Sequence, residues 1–199
     1  MELAVVLGRT IAFALAAGVN VYATVALIGL SVRFGWVDLP PQFDAFSSDV
    51  VIGAAAVMYL LEFFADKIPY VDTVWDVVHT VIRPLGGALI AVTSLGEASP
   101  AAAGLAALLG GAVATSSHLT KASTRAVANT SPEPFSNWTL SLAEDVFVFG
   151  LGYLALAHPV AALVVALGVL GGILAFSVAI VRLAGRWLGR GRRPEPALH

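Results

Sequence analysis

The amino-acid sequence predicts an all-α, polytopic membrane helix bundle of about six transmembrane spans, and three observations predict it. Hydrophobic residues make up 58% of the 199 and charged residues only 12%, about half the charge usual in a soluble domain. The mean hydropathy is +0.87. Several apolar runs approach the roughly 20 residues a helix needs to cross a hydrocarbon core about 30 Å thick, and short polar connections divide them. Spans and connectors use up residues 1–188 as one transmembrane domain; residues 189–199 remain as a basic tail, expected to be disordered. The absence of Cys removes disulfides, thiolate nucleophiles and Cys-ligated metals. The net charge of −2 hides an uneven distribution and supports no argument about nucleic acid or acidic substrates; the expected partner is the lipid bilayer, with no nucleic acid.

The first span runs from about Thr10 to Leu30. The run from Leu3 to Leu30 is too long for a signal peptide and lacks a small-residue cleavage site after a basic n-region, so it is expected to be retained. Pro40, Pro41 and three Asp between Asp38 and Asp49 mark a solvated loop. The second span covers about Val50 to Phe64. The third apolar run, Leu85 to Leu95, is too short to cross alone at 1.5 Å per residue. It is extended by the segment before it, tilted in a thinned bilayer, or re-entrant. A fourth span follows the Gly96 to Pro100 turn and ends near Ser117. The fifth, Leu140 to Ala157, breaks at His158 and Pro159, and the sixth runs from Val160 to Leu183. Two hairpins with long charged connections, the second-to-third and fourth-to-fifth spans, hint at a duplication that residue identity does not establish.

Lysine and arginine orient the bundle, because they stay cytoplasmic. With both termini inside, the inner sections hold Arg9, Lys67, Arg83, Lys121, Arg125, Arg182, Arg186, Arg190, Arg192 and Arg193, ten of the eleven basic residues. Only Arg33 falls outside, where the connectors carry Asp38, Asp44, Asp49 and Glu97.

Charges near spans mark candidate sites, since an unpaired ion in hydrocarbon is costly. Glu62 and Asp66 lie four apart on one helix face, and Lys121 and Arg125 repeat that spacing at matching depth. These four form either an ion-pair lock between hairpins or the wall of a functional cavity. Asp72, Asp76, His79 and Arg83 recur at helical steps opposite Val71, Val74, Trp75, Val78 and Ile82, which predicts an amphipathic helix that lies along the membrane surface or dips in, with a solvated polar stripe as the default and a kink at Pro84. His79 and His118 titrate near neutral pH as proton relays, or are ordinary satisfied polar residues. Glu144 and Asp145 open the fifth span, and Ser131-Pro132-Glu133-Pro134 reads as an N-cap with proline in the first turn. Gly18, Asn20, Tyr22 and Thr24 interrupt the first span; glycine beside asparagine favours a local unwinding that lines a cavity, although Asn20 equally suits a bond to a neighbouring helix. The sequence lacks nucleophile-elbow, zincin, P-loop and dinucleotide fingerprints, and no metal-ligand spacing is recognised.

Three stretches also carry a family likeness: Glu62-Phe63-Phe64-Ala65-Asp66-Lys67-Ile68-Pro69; Asp72-Thr73-Val74-Trp75-Asp76 on to Arg83-Pro84; and Lys121-Ala122-Ser123-Thr124-Arg125 with Asn129-Thr130-Ser131-Pro132-Glu133-Pro134-Phe135-Ser136-Asn137. Over roughly Gly8 to Tyr153 the chain resembles a bacterial membrane family catalogued as a domain of unknown function, DUF4126. The resemblance brings no activity and implies that the charged hairpins are the family's signature.

The leading functional expectation is a small transporter, channel or lipid-handling protein of the inner membrane, with a polar, ion-paired cavity open to the cytoplasm. In it Lys121 and Arg125, with Ser117, Thr120, Thr124 and the helix start near Pro132, hold a small anion or lipid headgroup. A lipid- or isoprenoid-modifying enzyme using the same carboxylates is the alternative, and a structural or partner-binding bundle is a third. Catalysis is the less favoured class; cofactor and self-association stay open.

Overall fold

The computed structural model describes residues 2–130 and 135–190, with side chains of the final helix through residue 182. Seven α-helices follow in order: α1 (Glu2–Val19), α2 (Val21–Arg33), α3 (Asp49–Ala65), α4 (Pro69–Leu95), α5 (Pro100–Ala128), α6 (Phe135–Ala157) and α7 (Pro159–Arg190), with a short 3-10 helix (Pro41–Ser47) before α3. Among the described residues there is no strand. By length and apolar composition α1, α4, α5, α6 and α7 each suffice to cross a membrane; the 3-10 helix and α3, meeting at 64°, together make a sixth candidate.

Local chemistry sets the boundaries. Ser48 caps α3 by accepting from the Val51 amide at 3.2 Å, and Ser99 caps α5 from Ala102 at 3.3 Å with Pro100 in the first turn. Gly96 ends α4 at φ 70°, a left-handed conformation that suits glycine.

The expected short third span and surface helix are one element. α4 runs unbroken for 27 residues with Pro84 inside it, about 40 Å at 1.5 Å per residue. The segment before the apolar run therefore extends it into a full crossing. The stripe of Asp72, Asp76, His79 and Arg83 is buried rather than solvated, while Val74 and Val81 on the other side are 66% and 64% exposed. Hydrocarbon reverses the usual sense of an amphipathic helix, since the charged face must turn inward to find partners.

The first span is also corrected. The backbone breaks at Asn20 (φ −150°, ψ 100°), whose side-chain oxygen caps α2 by accepting from Ala23 at 2.9 Å. At its start α1 lies beside the α6–α7 turn and the 34–48 connector: Gly8 touches the Pro159 backbone, Arg9 donates to the Asp38 carbonyl at 3.3 Å, and Phe13 meets Phe43 with ring centroids 6.3 Å apart. α2 returns to the same end, where Gly29 abuts the Phe46 carbonyl and Arg33 pairs with Asp49. Together α1 and α2 form a helical hairpin with its tip at Asn20. α1 starts at the connector end, whereas α7 runs on to lie beside Val127 at the far end.

Packing explains how α1 sits at the centre. It is apolar all round and buried from Ala12 through Val19, enclosed by α4, α5, α6 and α7. Small residues allow close approach in lipid, where helix association lacks a hydrophobic drive. α4 and α5 cross through Gly87-x-x-x-Ala91 and Gly110-x-x-x-Ala114; a Cβ on Gly110 would stand 2.6 Å from the Gly87 carbonyl oxygen. Large apolar side chains remain exposed along α3, α4 and α7, a surface that only a bilayer accommodates. The expected cap at Ser131-Pro132-Glu133-Pro134 and the tail residues 191–199 lie outside the described residues.

Candidate functional site

The last turn of α3 carries Glu62 and Asp66, the inner face of α4 carries Asp76 and Arg83, α5 carries His118, Lys121 and Arg125, and α6 carries Glu144. These side chains converge in one buried network. Lys121 Nζ lies 3.3 Å from Glu62, 2.9 Å from Asp66 and 3.3 Å from Glu144, and donates to the Val19 carbonyl at 3.3 Å. Arg125 meets Asp66 at 3.2 Å and Glu144 at 2.7 Å, and donates to the carbonyls of Asp66 and Asn137 at 2.7 and 3.2 Å. Arg83 reaches Glu62 at 2.9 Å and Asp76 at 3.0 Å. Glu62 and Arg83 are both fully buried. The sequence pairing of Glu62 and Asp66 with Lys121 and Arg125 is thus brought together, with one change of partner: Glu62 joins Arg83 and Lys121, while Asp66 and Glu144 each bridge Lys121 and Arg125.

The two histidines are satisfied by neighbours. Arg83 is a pure donor, so His118 Nδ1, 2.6 Å from it, accepts. The His118 proton then sits on Nε2 and faces the Thr80 hydroxyl at 3.1 Å. His79 is the opposite tautomer: Nδ1 donates to the Trp75 carbonyl at 2.7 Å and Nε2 accepts from the Tyr22 hydroxyl at 2.9 Å. Both assignments follow from the hydrogen-bond network.

Four carboxylates, Glu62, Asp66, Asp76 and Glu144, share three cations, Arg83, Lys121 and Arg125. Asp72 stands outside the pairs and accepts from Asn129 Nδ2 at 2.9 Å. Asp145 forms no salt bridge among the described residues. Lys67, in the α3–α4 turn, donates to the Phe63 carbonyl at 2.9 Å and to Ser141 at 3.2 Å; burial pulls its ammonium below the ordinary lysine range.

A cavity of about 140 Å³ opens between α4 and α5, lined by Asp72, Asp76, Thr80, His118, Arg125 and Asn129 among others. Glu62 and Lys121, by contrast, form a closed interface beneath it. Asn20 is 3% exposed and spends its side-chain oxygen on its own helix, so it shapes the hairpin tip. Among the described residues no group of three or more His, Asp or Glu side chains is placed to hold a metal ion.

Sequence reasoning overlooked Thr80 and Asn129. Thr80 lies one turn from Asp76 on the same stripe, a detectable signal; Asn129 stood only as part of a familiar motif. Arg83 was read as solvated because a water-facing stripe and a bundle-facing stripe share one periodicity.

Neither the curated proteins nor the solved structures offer a significant match. Residues 7–184 match the model of the family described as a domain of unknown function, DUF4126, and with nearly its whole length covered the chain belongs to that family.

Proposed function

We propose that the chain is a small transport protein of the bacterial inner membrane, which passes a small solute through the polar layer around the hairpin tip. One observation carries this reading: the helix break at Val19, Asn20 and Val21 lies inside the bundle, where Lys121 donates to the Val19 carbonyl and Tyr22 bonds His79. Discontinuous helices meeting charged groups inside a membrane bundle are the architecture of secondary transporters. Irregular backbone at such depth is tolerated where protein or a water-lined cavity satisfies it.

The basic residues support an orientation. Lys67, Lys121 and Arg125 cluster at one end, and Arg9 and Arg33 lie at the other. The charged end is the cytoplasmic one in this reading, which puts the start of α1 outside.

The anion expectation loses its basis, because Lys121 contacts three carboxylates and Arg125 two. Thr120 and Thr124 bond their own helix, and Ser117 donates to the Leu15 carbonyl at 2.8 Å. The closed contacts of Glu62 and Lys121 favour a locking role for that part of the network within the same molecule.

Purified protein in proteoliposomes tests the reading with labelled cationic, anionic and neutral small solutes. Uptake of at least one class above protein-free vesicles is expected, reduced by Asn20→Ala. A folded, oriented protein that moves none of them overturns it.

A further inference from the structure

We propose that the α4–α5 cavity is a binding site for a monovalent alkali cation, with Asp72 as its principal ligand. Asp72 is 1% exposed. Its Oδ2 accepts from Asn129, but its Oδ1 is buried with no partner, and so is Asn129 Oδ1. Both residues line the cavity, together with Asp76 and the hydroxyl-bearing Thr73 and Thr80. The available donors are therefore carboxylate, amide and hydroxyl oxygens, the set that suits hard cations.

Charge selects the ion. The charged or titratable groups facing Asp72 are Asp76 on its own helix, His118 and Arg125 on α5, and Asp66 at the end of α3. Asp76 is compensated by Arg83, Arg125 is spent on Asp66 and Glu144, and His118 accepts at Nδ1. Asp72 has no cation within salt-bridge distance among the described residues. A buried carboxylate left alone is costly, so one positive charge is called for. The Arg125 guanidinium on the cavity wall disfavours a divalent ion, whose dehydration is also harder. A proton would need neither the extra oxygens nor the room, and about 140 Å³ holds an ion with a few waters at roughly 30 Å³ each. This site goes beyond the transport reading and does not require it.

The full-length protein in detergent is melted at fixed pH and ionic strength in NaCl, KCl or choline chloride. A ligand that binds only the folded state raises Tm saturably. The expected result is such a rise in sodium or potassium over choline, abolished in Asp72→Asn. Sodium-23 NMR linewidths, broadened by wild type and not by Asp72→Asn, read binding without reference to stability. Should Asp72→Asn fail to fold, Thr80→Val and Asn129→Ala each remove one oxygen and are expected to weaken the half-saturating concentration severalfold. Identical melting in all three salts overturns the proposal. So does a rise that Asp72→Asn retains, one that follows pH alone, or one produced by magnesium or calcium and by neither alkali ion. Cation binding without solute uptake overturns only the transport reading; uptake with no cation-dependent melting or linewidth overturns only this site.

Discussion

Arg83 divides one buried guanidinium among Glu62 on α3, Asp76 on its own helix and His118 on α5. Removing it strands Asp76 and leaves Glu62 with Lys121 alone, whereas removing it with Glu62 deletes both ends of its shorter ion pair. A buried pair broken on one side costs about 3 to 5 kcal/mol, and apolar replacement of both partners is often near neutral. Arg83→Leu is therefore expected to destabilise by about that amount, and Glu62→Leu/Arg83→Leu by clearly less than the sum of the singles, measured by melting in detergent. Glu62 and Arg125 do not touch, so their double Leu variant should come much closer to additivity. If both cycles show equal coupling, the contact map at Arg83 is wrong. At this scale the types and spacings of Glu62, Asp66, Lys121 and Arg125 were legible in the sequence. The third cation was not, since nothing in the spacing of Arg83 distinguishes a face turned to water from one turned to protein.

α4 decides how the charged stripe is used. With no Cys in the chain, single Cys substitutions report each face without background. Val74→Cys and Val81→Cys are expected to carry probes quenched by lipid-phase quenchers, and Asp76→Cys, at a position only 6% exposed, a probe shielded from them. Equal quenching at all three positions would restore the surface-helix arrangement. The meeting of α4 and α5 rests on small residues, so Gly110→Val should force its side chain into the Gly87 carbonyl and destabilise by about 1 to 3 kcal/mol, as overpacking does. An unchanged melting temperature would contradict the crossing. In the hairpin, Asn20→Ala removes the α2 cap, and about 1 kcal/mol of stability should go with it; Asn20→Asp, which keeps an acceptor, should lose less of that cap.

For the molecule as a whole, in the proposed transport reading, α1 and α2 form a re-entrant hairpin, the number of crossings is odd, and the two ends of the described chain fall on opposite sides. Leu3→Cys is expected to react with an impermeant thiol reagent from outside intact cells, and Ile68→Cys, in the charged turn, only after the membrane is opened. Reaction of both from the same side would refute the re-entrant arrangement. Composition alone determined that the chain is a helical membrane bundle, because a solvent that cannot hydrogen-bond leaves helices as the way to satisfy so apolar a backbone. Spacing determined that Glu62 and Asp66 would meet Lys121 and Arg125, because unpaired charges at that depth are too costly to leave apart. Tertiary structure decided that the first apolar run turns back at Asn20, that α4 is one helix with its charges inward, and that Asp72 faces a cavity with no cation of its own. Each of these depends on which neighbour a face meets. Periodicity carries the existence of a face and its polarity, and the identity of what packs against it is settled only when α1 takes the centre of the bundle and α4 and α5 close through their glycines.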